Sequence, residues 1–420
     1  MECAGLARTS CASRTGGSLE LNLREIKFLV VGAGFYGAVV AEHIARDLGQ
    51  KVVVIDKRDH TGGNCHSQID PTTGIEYHTY GTHIFHTRNQ AVWNYIARFT
   101  QLNAYRHQVL ATYKNRVYQM PINLETINTF YGTNLKPFEV RGFLEKEIGS
   151  ERFDAPANLE ERAISLVGRP LYEAFLKGYT EKQWGCDATA IPASVIARLP
   201  FRTNYDENYF FDAWQGIPVD GYAAVFDNML DHPNIEVVLG VDFMDLKTQV
   251  SPDCLVVYTG TIDRFFHYKH GRLDCRTLRF ETEVVDVPDY QGTSVMNYTE
   301  REVPFTRIHE PRHLHPERES HPEKSFIVRE YSETSRGDSP YYPIPSAEND
   351  RRLALYTKER EAFPNVLFGG RLGDFKYYDM DVTIDRAMDA YAKTIKPAAL
   401  ALLRESGRSK PRASRSRRRQ

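Results

Sequence analysis

The apolar positions near the start of the chain form two short β-branched runs with a helical stretch between them. Phe28 to Val31 and Val52 to Ile55 are continuous apolar runs, as buried parallel strands usually are. The residues GAGFYG follow the first run, and the apolar positions after them have helical spacing. The pattern predicts a strand, a tight turn, a helix and a second strand, which is a βαβ unit of the Rossmann type.

Three glycines at this turn have the spacing G-x-G-x-x-G of a dinucleotide-binding loop. Gly32 lets the chain turn sharply out of the strand, Gly34 lets a pyrophosphate approach the backbone, and Gly37 lets the helix pack close to the sheet. Asp56 ends the second strand, where a carboxylate accepts hydrogen bonds from ribose hydroxyls. Because a strand, a helix and an acid accompany the glycines, the sequence predicts a bound dinucleotide rather than an empty turn.

A second glycine turn after Asp56 indicates which dinucleotide is bound. The residues Thr61 to Asn64, TGGN, would bring further backbone N–H groups to the same pyrophosphate. A nicotinamide site does not require this second turn, whereas an FAD molecule that lies extended along the domain uses it. We therefore expect FAD as the cofactor.

The remaining pattern predicts two further parts of the molecule. Residues 105–122 alternate apolar and polar positions on either side of Lys114-Asn115, as a β-hairpin does. Helical spacing dominates residues 123–198, and short strands without helices between them recur in residues 275–345. Later apolar runs such as Leu255 to Val257 are typical of buried central strands, and they return the chain to the first domain.

The predicted fold class is therefore α/β, with a discontinuous Rossmann-type FAD-binding domain, a small helical domain and an antiparallel β-sheet domain. The predicted boundaries are a disordered extension at 1–25; FAD-binding segments at 26–104, 201–265 and 346–400; sheet segments at 105–122 and 266–345; a helical substrate-cleft domain at 123–200; and a basic disordered tail at 401–420.

The composition is that of a soluble globular protein, with 41% hydrophobic and 26% charged residues over 420 positions. No apolar run approaches the roughly 18 residues of a membrane span, and the start of the chain lacks the apolar centre of a signal peptide.

The 6 cysteines have no C-x-x-C spacing, so neither a zinc site nor a disulfide framework is indicated, and a reducing cytoplasm is the simplest setting. The basic tail lacks aromatic residues and amphipathic periodicity, so we interpret it as solvated rather than as bound to nucleic acid or a membrane.

Two groups of side chains have competing interpretations. His78, His83 and His86 do not have the spacing of a metal site, so contact with the cofactor ring is the better hypothesis, and no metal is predicted. The aromatic residues around GYTEKQWG have helical spacing, which usually indicates core packing. Trp184, however, stands at a predicted helix end and is a candidate wall of a pocket.

A late strand also ends on glycines and leads into charged residues. Arg371 follows Gly369 and Gly370 and is placed to meet a phosphate. The helix that starts near Met380 would turn its N-terminus towards polar atoms of the flavin. A second glycine-terminated strand this late in the chain is typical of a discontinuous FAD domain.

With these features the chain resembles a bacterial-type UDP-galactopyranose mutase over residues 26–396. The resemblance rests on seven motifs in order: GAGFYG, DKRDHTGGN, YGTHIFHT, GYTEKQWG, NYTEREVPFTR, YYPIP and GRLGDFKYYDMD. It implies an FAD domain of Rossmann type, a small helical domain and a twisted antiparallel sheet, with the active site in the cleft between them. It also implies a homodimer.

The activity that the resemblance implies is the interconversion of UDP-galactopyranose and UDP-galactofuranose without net redox change, which supplies galactofuranose for cell-surface glycans. In this chemistry N5 of reduced FAD attacks the anomeric carbon and expels UDP, so the cofactor is the nucleophile. The main alternative is a flavin oxidoreductase of the amine-oxidase type, and a third is a flavin-binding sensor without turnover. The arginines and tyrosines of the motifs indicate an anionic ligand and favour the mutase.

The resemblance also assigns site residues, and one position departs from the family. Thr82 stands where relatives often have proline or alanine. The implied catalytic residues are Arg198, Arg307 and His83, the two arginines holding the substrate diphosphate. The other implied substrate contacts are Tyr179, Thr180, Trp184, Tyr209, Asn297, Tyr342, Tyr377 and Asp379. The implied cofactor contacts are Gly32, Gly34, Phe35, Tyr36, Gly37, Asp56, Lys57, Gly63, Asn64, His83, Ile84, Val241, Asp242, Arg371, Met380, Asp381 and Val382.

Overall fold

The computed structural model describes residues 23–198, 201–335 and 340–408, and leaves undescribed the side chains of 197–198 and 406–408. The strands are β1 (Phe28–Val31), β2 (Val52–Asp56), β3 (Ser67–Ile69), β4 (Glu76–His78), β5 (Phe85–Thr87), β6 (Val109–Tyr113), β7 (Arg116–Met120), β8 (Trp214–Gly216), β9 (Ile235–Leu239), β10 (Leu255–Tyr258), β11 (Cys275–Val285), β12 (Val295–Tyr298), β13 (Arg307–His309), β14 (Ser325–Thr334), β15 (Tyr342–Pro343) and β16 (Val366–Phe368).

The helices alternate with these strands and include two segments of π-helix, Tyr172–Lys177 and Tyr391–Ile395. The α-helices are α1 (Phe35–Asp47), α2 (Gln90–Ile96), α3 (Leu124–Tyr131), α4 (Val140–Ile148), α5 (Leu159–Val167), α6 (Arg169–Leu171), α7 (Gly178–Trp184), α8 (Gly221–Leu230), α9 (Phe243–Leu246), α10 (Ile262–Phe265), α11 (Ala347–Glu359), α12 (Gly370–Gly373), α13 (Met380–Ala390) and α14 (Lys396–Arg408). Short 3-10 segments are Gly63–Cys65, Ala188–Ala190, Ala193–Arg198, Pro311–Leu314 and Arg360–Ala362.

The first sheet is parallel throughout, in the order β16-β10-β1-β2-β9. Its strands come from three distant parts of the sequence, and β1 and β10 are buried along their whole length. One face packs against α1, α8, α13 and α14, and the other against α9, α10 and α11. The predicted discontinuous Rossmann-type domain is confirmed, and its strand ends leave a crevice at the glycine turn.

The second sheet has seven strands in the order β15-β11-β14-β13-β12-β6-β7. The long pair β11 and β14 is antiparallel over ten residue pairs, as the short apolar runs predicted. The prediction of a purely antiparallel sheet is wrong at one place, because β12 pairs with β6 in parallel. These two strands belong to separate hairpins joined through the helical part, and such a long connection permits either direction of pairing.

The hairpin predicted around Lys114-Asn115 is confirmed. Strands β6 and β7 pair from Val109 opposite Met120 to Tyr113 opposite Arg116, so only two residues form the turn. Both turn residues have positive φ, 49° for Lys114 and 59° for Asn115. This is the geometry of the two-residue turns whose twist matches that of the strands.

Within the helical part, capping residues that are recognisable in the sequence mark where several of the helices begin or end. Asn123 and Asn158 accept hydrogen bonds from the first turns of α3 and α5 through their side chains. Gly132, Gly149 and Gly185 end α3, α4 and α7 with positive φ. Helices α3 to α7 share an apolar core with the hairpin β6-β7, so the helical part rests on one end of the second sheet.

Several predicted boundaries need correction. Leu23 is only 4% exposed, although it lies within the segment predicted to be disordered. Helix α14 continues to Arg408, past the predicted end of order at residue 400, because it packs into the apolar core of the first sheet through Ala399. Tyr209 packs on the helical core and Phe266 on the Rossmann-type sheet, so both lie across the predicted boundaries. The rest of both predicted disordered ends, residues 1–22 and 409–420, lies outside the described residues.

The histidine-rich stretch after β13 is also less exposed than its composition indicates. Its polar residues and prolines are typical of a solvated turn, but His315 is only 4% exposed and lies 3.4 Å from Glu76 and 2.9 Å from Glu317. Tertiary contacts with β4 therefore decide its burial. In the described ranges, no helix has the length and apolar character needed to cross a membrane.

Candidate active site

A cavity of about 670 Å³ lies where the Rossmann-type sheet, the second sheet and the helical part meet. Predicted site residues that line it are Gly32, Gly34, Phe35, Tyr36, Gly37, Asp56, Lys57, Gly63, Asn64, His83, Ile84, Tyr179, Thr180, Trp184, Tyr209, Val241, Asp242, Asn297, Arg307, Tyr342, Arg371, Tyr377, Asp379 and Met380. Asp381 and Val382 do not line it, because successive residues of a helix point in different directions. The side chain of Arg198 lies outside the described residues.

Two glycine turns face each other at the Rossmann end of the cavity. A Cβ on Gly63, whose φ is +56°, would lie 3.3 Å from Cα of Gly34, so the space between the turns exists only without side chains. Asp56 ties the turns to the sheet, since Oδ2 accepts from the N–H of Ala33 at 2.8 Å and Oδ1 from the N–H of Arg58 at 2.9 Å. The geometry fits the extended diphosphate of a dinucleotide.

His83 extends from the loop between β4 and β5 into the middle of the cavity wall. Its Nδ1 lies 2.7 Å from the carbonyl oxygen of Gly81, and its N–H donates to Nδ1 of His78 at 2.9 Å. Burial lowers the pKa of His83 to about 4, although the Gly81 bond opposes this. The ring is therefore neutral at pH 7, with its proton on Nδ1 and an acceptor left at Nε2.

A chain of polar contacts connects this loop to Arg307. The hydroxyl of Thr82 lies 2.7 Å from Nδ1 of His309, and Nε2 of His309 lies 2.9 Å from Oε2 of Glu330. The other carboxylate oxygen of Glu330 lies 3.2 Å from Nε of Arg307. Arg307 also donates to the hydroxyl of Tyr179. The structure thus links the loop that carries Thr82 and His83 to the predicted diphosphate site.

The charges in this chain follow from burial and from ion pairing. Burial alone would lower the pKa of Arg307, but the Glu330 carboxylate and nearby tyrosines reverse this and raise it. Burial would raise the pKa of Glu330, but Arg307 and His309 hold it below its usual value. The pKa of His309 is lowered, chiefly by burial. The site therefore holds a permanent cation, one carboxylate and a neutral imidazole at neutral pH.

Aromatic side chains form the wall opposite the dinucleotide turns. Burial raises the pKa of Tyr179 to about 12, so its hydroxyl stays a hydrogen-bond donor. The rings of Tyr342 and Tyr377 lie 5.7 Å apart at the same wall. Trp184 ends α7, as the sequence predicted, and Arg276 fixes this end by donating to the carbonyl of Gln183 at 3.0 Å. The wall offers hydroxyl donors and flat apolar surfaces together.

The other predicted contacts lie at the edges of the cavity. Arg371 donates to the carbonyl oxygens of Pro340 and Tyr341, so part of its guanidinium is engaged within the protein. Asp242 forms an ion pair of 2.6 Å with Arg264, which together with its other hydrogen bonds offsets the effect of burial and lowers the pKa of Asp242.

Sequence reasoning missed two residues that line the cavity, Glu330 and Arg58, and His309, which contacts Glu330. Glu330 lies in β14 and His309 in β13, each within an ordinary strand pattern. No motif or spacing in the neighbouring sequence indicates a role for either residue. Arg58 lies over the ring of Tyr80 at 4.1 Å and donates to Oδ1 of Asn64 at 2.9 Å. Only its position one residue after Lys57 in the motif could have indicated it.

A group with potential metal ligands lies away from the cleft. Asp289, Glu310 and His313 bring one ligand atom each within 4.8 Å of the others. Glu310 already accepts hydrogen bonds from the N–H groups of Tyr290 and Gln291, each at 2.8 Å. The carboxylate is therefore engaged in holding the turn before β12.

A parallel Rossmann-type sheet with two facing glycine turns is the architecture of a dinucleotide-binding protein, and here it borders a cavity that holds an anchored arginine. Comparison with known proteins agrees. A family model described as UDP-galactopyranose mutase matches residues 174–377, and one for NAD(P)-binding Rossmann-like domains matches residues 30–99.

Full-length relatives identify the family. The chain is 43% identical over 361 residues to a probable UDP-galactopyranose mutase of Klebsiella pneumoniae, covering 86% of this chain and 92% of that protein. It is 40% identical over 375 residues to a dTDP-fucopyranose mutase of Escherichia coli, covering 88% and 98%. Its fold is similar to that of a reduced UDP-galactopyranose mutase, with a TM-score of 0.68, 15% identity and coverage of 90% and 98%. The chain belongs to the UDP-galactopyranose mutase family, whose named members are isomerases.

Proposed function

We propose that this protein interconverts the pyranose and furanose forms of a nucleoside-diphosphate sugar, with UDP-galactose as the substrate and reduced FAD as the cofactor. The observation that carries the proposal is that Arg307, anchored by Glu330 and Tyr179, shares one cavity with the two glycine turns. A cation and a dinucleotide site in one enclosed space suit a reaction in which a diphosphate leaves next to a flavin.

The residues at the turns fit FAD. Gly34 and Gly63 leave the open cradle that a pyrophosphate needs, and Asp56 stands at the end of β2 for the ribose. When bound and reduced, FAD supplies the nucleophile for the anomeric carbon of the sugar. His83 and Met380 line the same cavity, and as the family resemblance implies they would contact the flavin ring there.

The chain's own contribution is to hold the diphosphate and stabilise the charge that develops on it. Arg307 presents a permanently charged fork, and Tyr179 adds a hydroxyl that stays protonated at neutral pH. Arg198 would supply a second fork, as the family resemblance implies. Loss of one such contact costs on the order of 3 kcal/mol of transition-state stabilisation, or about a hundredfold in rate.

A second substrate is worth testing because of one specific relative. The Escherichia coli protein that is 40% identical to this chain is named a dTDP-fucopyranose mutase. Its named substrate differs from UDP-galactose at C6 of the sugar, at the ribose 2′ position and at C5 of the base. All three differences lie away from the diphosphate and the anomeric carbon, so the contacts at Arg307 suit both molecules.

The test is to incubate the purified protein with UDP-galactofuranose or dTDP-fucofuranose, with and without dithionite, and to separate the products by chromatography. We expect conversion of UDP-galactofuranose to the pyranose only when the flavin is reduced. Preference for the dTDP sugar would reassign the substrate, and no conversion of either sugar in either redox state would overturn the function. Arg307→Ala should keep its yellow FAD and lose turnover.

We also propose that the enzyme works as a cytoplasmic homodimer, on the strength of the family resemblance and the cysteine pattern. Size-exclusion chromatography with light scattering tests the assembly. A monomeric mass at working concentration would contradict it.

A further inference from the structure

The ammonium group of Lys182 is surrounded by four backbone carbonyl oxygens. Nζ lies 2.7 Å from the oxygen of Tyr298, 2.9 Å from that of Glu300, 3.0 Å from that of Val303 and 2.9 Å from that of Phe305. An ammonium group has three N–H donors, so one of the four oxygens shares a proton and is held mainly by the positive charge. We refer to these four oxygens as the carbonyl cage.

The cage needs a cation at its centre. Four carbonyl dipoles that converge on one point repel each other unless a positive charge lies between them, and rings of backbone carbonyls bind unhydrated monovalent cations for the same reason. Burial lowers the pKa of Lys182 to about 8, while the carboxylates of Glu300 and Glu302 act in the opposite direction. The amino group is therefore charged at pH 7 and becomes neutral above pH 8.

The cage is built from a single segment, which comprises the last residue of β12 and the connection to β13. That segment starts after Asn297 and ends at Arg307, which are opposite each other in the antiparallel pair. Both residues line the cavity. The shape of the connection therefore sets where the guanidinium of Arg307 lies.

Helix α7 holds the connection on one side and carries cavity residues on the other. A Cβ on Gly178 would lie 2.5 Å from the carbonyl oxygen of Thr299, so the helix and the connection touch backbone to backbone. Glu181 lies 3.4 Å from Arg301 of the connection. Lys182 joins the same contact surface, whereas its helix neighbour Trp184 lines the cavity.

We propose that Lys182 is a positioning residue for Arg307, and that the carbonyl cage it fills becomes a site for ammonium or potassium when the lysine is shortened. The effect on catalysis rests on the proposed function, whereas cation binding by the cage does not. The two parts are therefore measured separately.

The first measurement is the melting temperature of Lys182→Ala in potassium, ammonium, lithium and choline chloride at equal ionic strength. We expect potassium and ammonium to raise it by several degrees over lithium and choline, with no such selectivity in the wild type. Lys177→Ala is the matched control, because that lysine is 40% exposed and lies 3.7 Å from Glu160. Equal melting temperatures of Lys182→Ala in all four salts would overturn the cation site.

The second measurement is UDP affinity and turnover of Lys182→Met, which keeps the bulk of the side chain without its charge. We expect UDP binding to weaken about tenfold and kcat to fall by a similar factor, with FAD content unchanged. Potassium, but not lithium, should restore most of both in Lys182→Ala. UDP affinity and kcat of Lys182→Met within twofold of the wild type would contradict the positioning role.

The wild type gives an independent readout if these variants do not fold. UDP affinity should fall between pH 7 and pH 9 as the Lys182 ammonium loses its proton. The charged groups around it are Glu181 on its own helix, Glu300, Arg301 and Glu302 on the connection, and Arg276 of β11, which donates to the Lys182 carbonyl at 3.4 Å. Constant UDP affinity to pH 9 would overturn the positioning role.

The two proposals fail in different ways. A wild type without mutase turnover, combined with potassium-dependent stability of Lys182→Ala, would refute the function and leave the cage standing. Mutase turnover combined with indifference of Lys182→Ala to every cation would refute the cage and leave the function standing.

Discussion

The guanidinium of Arg307 and the carboxylate of Glu330 form an ion pair at the wall of the cavity, with Nε 3.2 Å from Oε1. The Glu330 side chain is 4% exposed and that of Arg307 is 28% exposed, so the carboxylate lies behind the arginine. A carboxylate beside a proposed diphosphate site opposes anion binding. The ion pair offsets this unfavourable effect because it holds Arg307 in one orientation before the substrate arrives.

The ion pair predicts that Glu330→Gln lowers turnover about tenfold to a hundredfold while FAD remains bound. The amide keeps the shape of the carboxylate but removes the charge that orients Arg307, and breaking a buried pair also lowers stability. Turnover and the melting temperature measure the two effects. Glu333→Gln on the same strand is the control, because Glu333 is 47% exposed and pairs with Arg279. Equal activity of both variants would contradict the role of the pair.

The contact between Thr82 and His309 predicts a smaller effect. In Thr82→Val the neutral His309 loses the hydroxyl that donates to its Nδ1, at a cost of about 1 kcal/mol. The hydroxyl can also turn to accept a bond from a protonated Nδ1, and that charge-assisted bond is the stronger of the two. Its loss makes Nδ1 harder to protonate, so we expect the acidic side of the kcat/KM profile to move to lower pH. Thr82→Ser should restore the wild-type profile, and an unshifted profile in Thr82→Val would argue against the connection.

The facing glycine turns predict that Gly63→Ala yields protein without bound FAD. The added Cβ would lie 3.3 Å from Gly34 and would fill the cradle, in addition to the strain of a positive φ. Gly74→Ala is the control for strain alone, since Gly74 has a φ of +70° and no atom within 4 Å of its Cβ position. The absorbance spectrum after purification measures the flavin. Full FAD content in Gly63→Ala would show that the cradle does not hold the pyrophosphate.

Burial of His83 predicts a pH dependence of stability. Its pKa falls from an ordinary value of 6.5 to about 4 in the folded protein, so the unfolded chain binds more protons between these values. The contribution of neutral, buried His83 to the free energy of unfolding is therefore fully present above pH 6.5 and is lost as the pH falls towards 4. Melting temperatures at pH 4.5 and 7 measure it, and His83→Gln should reduce the difference by about 1 °C for each kcal/mol involved in a chain of 420 residues. An unchanged difference would mean that other groups cause it.

Much of the fold could be predicted because its signals are local. The apolar runs at Phe28 to Val31 and Leu255 to Val257 became buried parallel strands, and Lys114-Asn115 became a two-residue turn. Whether two strands pair in parallel or antiparallel could not be predicted from such local signals. Strands β12 and β6 meet in parallel through contacts that neither strand specifies alone.

The candidate site likewise contains residues that local spacing predicts and residues that only tertiary contacts reveal. Gly32, Gly34 and Asp56 could be predicted from spacing, because a backbone turn that cradles a phosphate needs particular residues at fixed intervals. Lys182 stood within the motif GYTEKQWG, yet its four carbonyl partners lie more than 100 residues further along the chain.

By itself the sequence determined the glycine turns of residues 28 to 64, the strand and helix pattern, and the family to which the chain belongs. Only the tertiary structure decided that Glu330 stands behind Arg307, that His309 connects the pair to Thr82, and that Lys182 fills a carbonyl cage. The reason is physical. A turn is specified by its own residues, whereas the energetic contribution of a buried charge depends on partners that packing brings from elsewhere in the chain.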